Sequence, residues 1–120
     1  MQLTTLDLHG FTVSDAIARF VGRYNRLLAN TPSGTLAGLE VIHGKGKGEE
    51  GGAIKDALRD ILRQRGKRVT GFDTQLILRG ADYLLDKYPG DLVYIYGEDA
   101  TRNAGSTIVI PRKRITARDW

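Results

Sequence analysis

The sequence predicts a two-layer α/β sandwich in a single domain, with a mixed sheet in the order β-α-β-α-β-β and an insertion before the third strand. Three observations predict it. Residues 3–9 and 39–43 alternate with period two, and each segment leads towards a stretch whose apolar residues recur every three or four positions. Those are the periods of a strand and of an amphipathic helix. Two β-rich segments, residues 92–96 and 107–110, follow late in the chain, and 120 residues suffice for one hydrophobic core but not two.

In the first strand Leu6 and Leu8 point one way, Asp7 and His9 the other, and Gly10 ends it. Thr12 or Ser14 is placed to cap the first helix, since a hydroxyl there can accept from a free amide of the first turn. Its buried stripe is Val13, Ile17, Phe20, Val21, Tyr24, Leu27 and Leu28, while Arg19, Arg23 and Arg26 form a basic stripe on another face. Asn30-Thr31-Pro32-Ser33-Gly34 reads as a turn. The second strand, 39–43, ends at Gly44.

Residues 44–52 hold five glycines, two lysines and two glutamates, a loop composition. A helix is expected from near Ala53, with Ile54, Leu58, Ile61 and Leu62 inward, Lys55, Arg59 and Arg63 on one outer stripe, and Asp56 and Asp60 pairing with those cations. The insertion covers about residues 66–90. Within it 74–79 suits strand or helix, 81–88 is helical in pattern, and Pro89-Gly90 closes it. A polar loop with Asn103 and Gly105 joins the last two strands, and Pro111 argues that the final strand ends at or near an edge.

Composition narrows the function classes. Apolar residues make up 41% and charged residues 27%, as in ordinary globular domains. The apolar runs are too short for a membrane helix, and the first residues lack the basic and apolar regions of a secretory signal. With no cysteine there are no disulfides and no thiolate metal sites, which agrees with a cytoplasmic protein. The net charge is +4, and the excess sits in the second half, in the clusters Arg63, Arg65, Lys67, Arg68 and Arg112, Lys113, Arg114, Arg118, the latter in a basic tail of about 111–120. Such an excess favours a polyanionic partner, although solvated helix ends and a frayed tail would give the same counts.

Both early strands end in His-Gly. A right-handed β-α-β unit places the two ends at one edge of the sheet, roughly 5–10 Å apart, where open α/β sheets bind ligands. Asp7 and His9, two apart on one strand, face the same way. A carboxylate beside an imidazole fixes its tautomer and raises its pKa, which suits acid or base chemistry; the spacing also fits a plain solvated strand end. His43 is in phase with Leu39 and Val41, so a structural histidine facing the core is as good a reading as a ligand.

The loop Gly44-Lys45-Gly46-Lys47-Gly48, between a strand and a helix, can point successive amides and two ammonium groups at a phosphate. Gly46 to Gly51 formally matches a dinucleotide fingerprint with Asp73 downstream, but it follows the second strand of a small sheet, and no Walker pattern occurs. Asp7, His9 and His43 would make a metal site only if their side chains converged.

Asp7-Leu8-His9-Gly10 with the helix that follows, His43-Gly44-Lys45-Gly46, Gly52-Ala53-Ile54-Lys55, and the glycine-led strand from Gly105 to Ile110 together resemble the Smr (small MutS-related) domain. The resemblance implies the β-α-β-α-β-β sandwich and a nuclease that nicks DNA or cleaves RNA, in some members at ribosomes. It implies Asp7 and His9 as the catalytic pair. It assigns the backbone phosphate to the loop His43, Gly44, Lys45 and Gly46; beside it, the loop composition and the charge pattern add Gly10, Lys47, Gly48 and the helix cations Lys55 and Arg59 as expected nucleic-acid-binding residues. RNA cleavage would use the 2′-hydroxyl, whereas DNA would need activated water, with Mg2+ or Mn2+ as the expected cofactor. The alternative is a non-catalytic nucleic-acid or ribosome-binding module. Residues 66–90 exceed the family's short link; they could cover the site, widen the binding face or mediate self-association.

Overall fold

A computed structural model gives the structure of the chain and describes residues 1–44, 49–116, 118 and 120. The elements run β1 (Gln2–Asp7), α1 (Val13–Asn30), β2 (Ala37–Ile42), α2 (Glu49–Arg65), β3 (Gly66–Arg68), α3 (Phe72–Leu78), a 3-10 helix (Asp82–Lys87), β4 (Leu92–Tyr96), a second 3-10 helix (Gly97–Ala100) and β5 (Ser106–Pro111). The sheet order is β1-β2-β5-β4-β3. β1 and β2 pair in parallel, as do β3 and β4, while β5 lies antiparallel between β2 and β4. The carboxyl ends of β1, β2, β3 and β4 therefore share one edge of the sheet.

The mixed α/β sheet agrees with the sequence, and three details differ. Residues 66–90, expected as an insertion, supply a fifth strand, β3, so the expected third strand is the fourth of five. Pro111 ends a central strand, not an edge strand; at the last position its missing N–H costs the ladder little, and Arg112 resumes the pairing by donating to Asp91 O at 3.0 Å. Helix α2 starts at Glu49, four residues before Ala53. Burial of Ile54 and Leu58 further along offsets the cost of the two glycines in its first turn.

Alternation decides which residues fill the core. Leu6 and Leu8 of the first strand, Leu39 and Val41 of β2, Val109 of β5 and Leu92 and Tyr94 of β4 pack under Phe20, Val21 and Tyr24 of α1 and Ile54, Leu58 and Leu62 of α2. Each such side chain, fully buried, contributes about 1.5–3 kcal/mol. The opposite face carries Val93, Ile95, Ile108 and Ile110, covered by Val69, Ile77 and Leu85 of residues 66–90. Residues 66–90 thus cover the other face of the same sheet and build the edge beyond β4. The sheet places that edge strand four positions from β1, so the added strand does not cover the carboxyl end of β1.

Lys113, Ile115 and Trp120 of the basic tail are docked, not frayed. Trp120 packs edge-on against Phe20 at 5.3 Å and Tyr24 at 5.2 Å. Asn25 exchanges hydrogen bonds with the backbone of Ile115, and the Tyr24 hydroxyl donates to Lys113 O at 2.9 Å. Among the described residues no helix is long and apolar enough to cross a membrane.

Candidate functional site

The first strand ends one residue pair earlier than alternation predicts, and Asp7 is the reason. Its Oδ1 accepts from the His9 backbone amide at 3.0 Å, which turns the chain out of the ladder after Leu8 donates to Ile42 O at 2.7 Å. Gly10 follows with φ of +84°, a left-handed conformation that a glycine takes without strain. Thr12 then caps α1 by accepting from the Asp15 amide at 3.2 Å. The histidine is in this way held between a strand end and a helix start.

The same Asp7 Oδ1 lies 2.7 Å from His9 Nδ1. A carboxylate oxygen accepts, so Nδ1 carries the proton and Nε2 is left to solvent; the His9 and Asp7 side chains are 74% and 50% exposed. The hydrogen bond to Asp7, and then its charge, raise the His9 pKa above the usual 6.5. In return the side-chain and backbone bonds from His9 hold the Asp7 carboxyl below its usual 3.8. Gly10 stands exposed beside the pair, and its amide donates to no group among the described residues. The amino end of α1, with positive partial charge, begins three residues on.

The second His-Gly end is built differently. Asp7 is in register with Ile42, so the two ends are neighbours, yet the side chains part. His43 is fully buried, with Nδ1 2.8 Å from Gly44 O and Nε2 2.8 Å from Thr107 Oγ1. Burial depresses its pKa; the bond to the Gly44 carbonyl opposes this, and the charges of Arg59 and Lys55 reinforce it. The amides of His43 and Gly44 both donate to Gly105 O, at 2.8 and 3.0 Å. Neither His43 nor the Gly44 amide is therefore free to hold a phosphate, which corrects both expectations. Lys45, Gly46, Lys47 and Gly48 lie outside the described residues.

Arg59 is also corrected. It does not stand on an outer stripe: its side chain is 7% exposed. Nε donates to Thr107 Oγ1 at 3.0 Å, Nη2 to Ser106 O at 3.2 Å, and the two terminal nitrogens to the Glu98 carboxylate at 2.9 and 3.3 Å. The guanidinium lies 3.6 Å over the Tyr96 ring. Burial pushes the Glu98 carboxyl up, but the bonds and charge of Arg59 outweigh it and leave the group below its usual 4.5. Lys55, half-buried on α2, contributes positive potential to both His43 and Glu98.

Sequence reasoning missed Glu98, Thr107 and Arg102. Thr107 reads as a plain β-former in a central strand, and only its pairing beside the second His-Gly end gives it a role. Arg102 lies in the polar loop before β5 and is 42% exposed. Its Nε donates to Glu40 Oε2 at 2.6 Å, and its two Nη groups carry no bond among the described residues. Glu40 pairs with Thr5 and alternates with the inward Leu39 and Val41, so Arg102 is drawn to the sheet face on which Asp7 also stands. Among the described residues no three His, Asp or Glu side chains converge as a metal site.

Residues 6–82 match the family model of the Smr domain, which is associated with nucleic-acid binding and nuclease activity. The match takes in both His-Gly ends and reaches the first 3-10 helix; β4 and β5 lie beyond it. No curated protein and no solved structure matches the chain.

Proposed function

The chain belongs to the Smr domain family, and from that premise we propose that it is an endonuclease that cleaves RNA or nicks DNA, with Asp7 and His9 performing the proton transfer. The observation that carries the reading is the geometry of that pair. Its imidazole is oriented by a carboxylate, its Nε2 faces solvent, and it lies at the carboxyl edge of parallel strands beside the start of α1. A bound phosphate there is favoured by the Gly10 amide and the helix dipole, while Asp15 in the first turn limits that attraction.

On RNA the chemistry balances without an added nucleophile. His9 Nε2 accepts the 2′-hydroxyl proton, the 2′-oxygen attacks the adjacent phosphorus, and the bond to the 5′-oxygen breaks. That oxygen leaves with a proton from the imidazolium or from water, giving a 2′,3′-cyclic phosphate and a 5′-hydroxyl. Asp7 stabilises the imidazolium through Nδ1 while the proton resides on the ring. DNA lacks the 2′-hydroxyl, so its hydrolysis requires an activated water. Mg2+ or Mn2+ belongs to that branch, and Asp7 Oδ2, which carries no hydrogen bond among the described residues, suits such ions because they take one or two carboxylates together with substrate phosphates.

The test is incubation of labelled single-stranded RNA, duplex DNA and supercoiled plasmid with the protein, with and without Mg2+. His9→Ala is expected to abolish cutting by about 10²–10⁴-fold, the usual share of acid-base catalysis, while binding survives. Lys45→Ala is expected to weaken binding and to flatten its dependence on log salt by about 0.7–0.9. Equal cutting by wild type and His9→Ala removes the dyad from the chemistry. Binding without cutting by the wild type on every substrate establishes the second reading, a nucleic-acid or ribosome-binding module, which the stripe of Arg19, Arg23 and Arg26, without an ion pair among the described residues, would also serve.

A further inference from the structure

The second His-Gly end holds a chain of buried polar groups that the proposed chemistry does not use. A carbonyl oxygen can only accept, so the 2.8 Å contact from His43 Nδ1 to Gly44 O requires the proton on Nδ1. Arg59 Nε can only donate, so the Thr107 hydroxyl accepts it at 3.0 Å and keeps its own proton for His43 Nε2 at 2.8 Å. Every proton then has a place, and the direction of each bond is fixed: Arg59 to Thr107, Thr107 to His43, His43 to the Gly44 carbonyl. The far end is anchored by Glu98 and by Ser106 O, and the guanidinium rests on Tyr96. Charging His43 would set a second donor against the Thr107 hydroxyl and place a cation beside Arg59 and Lys55, with Glu98 the acidic group that faces it.

We propose that Arg59, Thr107 and a neutral, Nδ1-protonated His43 form a one-way hydrogen-bond relay that positions the Gly44 peptide where the chain leaves β2. The relay and Gly105 act on the same peptide pair from two sides. His43 Nδ1 fixes the Gly44 carbonyl, and Gly105 O holds the amides of residues 43 and 44, so the exit at φ of +93° has one orientation. The consequence for nucleic acid rests on the function proposed above: a fixed exit from β2 sets where the following glycine–lysine segment begins. Arg59, His43 and Thr107 are thus positioning residues for phosphate binding and touch no substrate themselves.

The full chain, labelled with 15N, tests this without any substrate. The expected His43 spectrum is that of an imidazole protonated at Nδ1 and bare at Nε2, unchanged across the range in which His9 titrates above 6.5. An Nε2-protonated ring, or a His43 that titrates like a free imidazole, overturns the relay. Thr107→Val removes the link and Thr107→Ser restores it at nearly the same size. The Val variant is expected to speed exchange of the Gly44 amide and to weaken single-stranded RNA binding about five- to tenfold, one hydrogen bond's worth, with Ser returning to within about twofold. A Val variant that lowers the melting temperature yet leaves Gly44 exchange and affinity at wild-type values reduces the relay to plain structure and overturns positioning. Wild-type protein that binds no nucleic acid defeats the proposed function instead, and the tautomer and Gly44 exchange still decide the relay.

Discussion

At the scale of single residues, two histidines in the same dipeptide meet opposite fates because of what stands two or more residues away. His9 has a carboxylate on its own strand and faces water, so its charged form is favoured; His43 is buried beside two cations, so its neutral form is. The sign of each effect yields a pH prediction. A base acts only when unprotonated, and His9 has its pKa raised above 6.5, so the cleavage rate is expected to fall as pH drops through a value above 6.5. Asp7→Asn removes the carboxylate that raises it. The acidic limb should then move to lower pH while the plateau drops by roughly 10–100-fold as the imidazole loses its orientation. A pH–rate profile of both proteins checks this, and a limb that stays in place separates Asp7 from the chemistry. The Asp7–His9 pair was legible in the sequence because the two lie only two residues apart, although a turn closed by the His9 amide on Asp7 Oδ1 joins them in place of the strand pleat the spacing suggested. The burial of His43 was legible too, from its phase with Leu39 and Val41.

At the scale of elements, helix periodicity misplaced Arg59. Steps of four residues turn a helix by about 400°, so a stripe at i, i+4 and i+8 drifts by about 40° per step around the surface. Lys55 and Arg63 stay half-buried or exposed, while Arg59 lies next to the inward Leu58 and is drawn in. What draws it in is Thr107, 48 residues away, and Glu98, 39 residues away, and no local pattern carries those contacts. Likewise the strand β3 was hidden because three residues are too few to show alternation. Glu98→Ala tests the weight of the contact. It leaves a buried guanidinium without two charge-assisted bonds, though Glu98 is partly open and water can replace some of its role. The expected loss is about 2–3 kcal/mol of unfolding free energy by denaturant titration, where a surface ion pair would give under about 1. A loss below that bound would mean that Arg59 is held by Thr107, Ser106 and Tyr96 alone.

At the scale of the whole molecule, much of the charge excess is taken up by contacts within the fold. The sequence puts the surplus cations after residue 60, and the fold engages several of them in its own contacts, while Lys67, Arg79, Arg114 and Arg118 stay exposed with no ion pair among the described residues. Arg63 pairs with Asp60, Arg68 with Asp99 at 2.6 Å, and Arg65 and Lys113 stand 3.8 and 3.9 Å from Asp91. Arg112 turns inward to the carbonyls of Leu85, Tyr88 and Gly90. Arg19, Arg23 and Arg26 along α1 make no ion pair among the described residues, and Arg19 only rests on Phe11. These three stand together on one helix, so a polyanion is predicted to meet α1, in the half of the molecule that also carries the Asp7–His9 pair. Replacing the three α1 arginines by glutamine should reduce the salt dependence of single-strand binding by about 2 in slope, at about 0.7 per contact, with little change in melting temperature. Replacing Arg63, Arg65 and Arg68 in the same way should lower the melting temperature and leave the slope within about one contact of wild type. Fluorescence anisotropy across a salt series, with thermal unfolding of the same proteins, measures both. If the slopes come out reversed, the polyanion binds along α2 and β3, and the free stripe on α1 serves solubility alone.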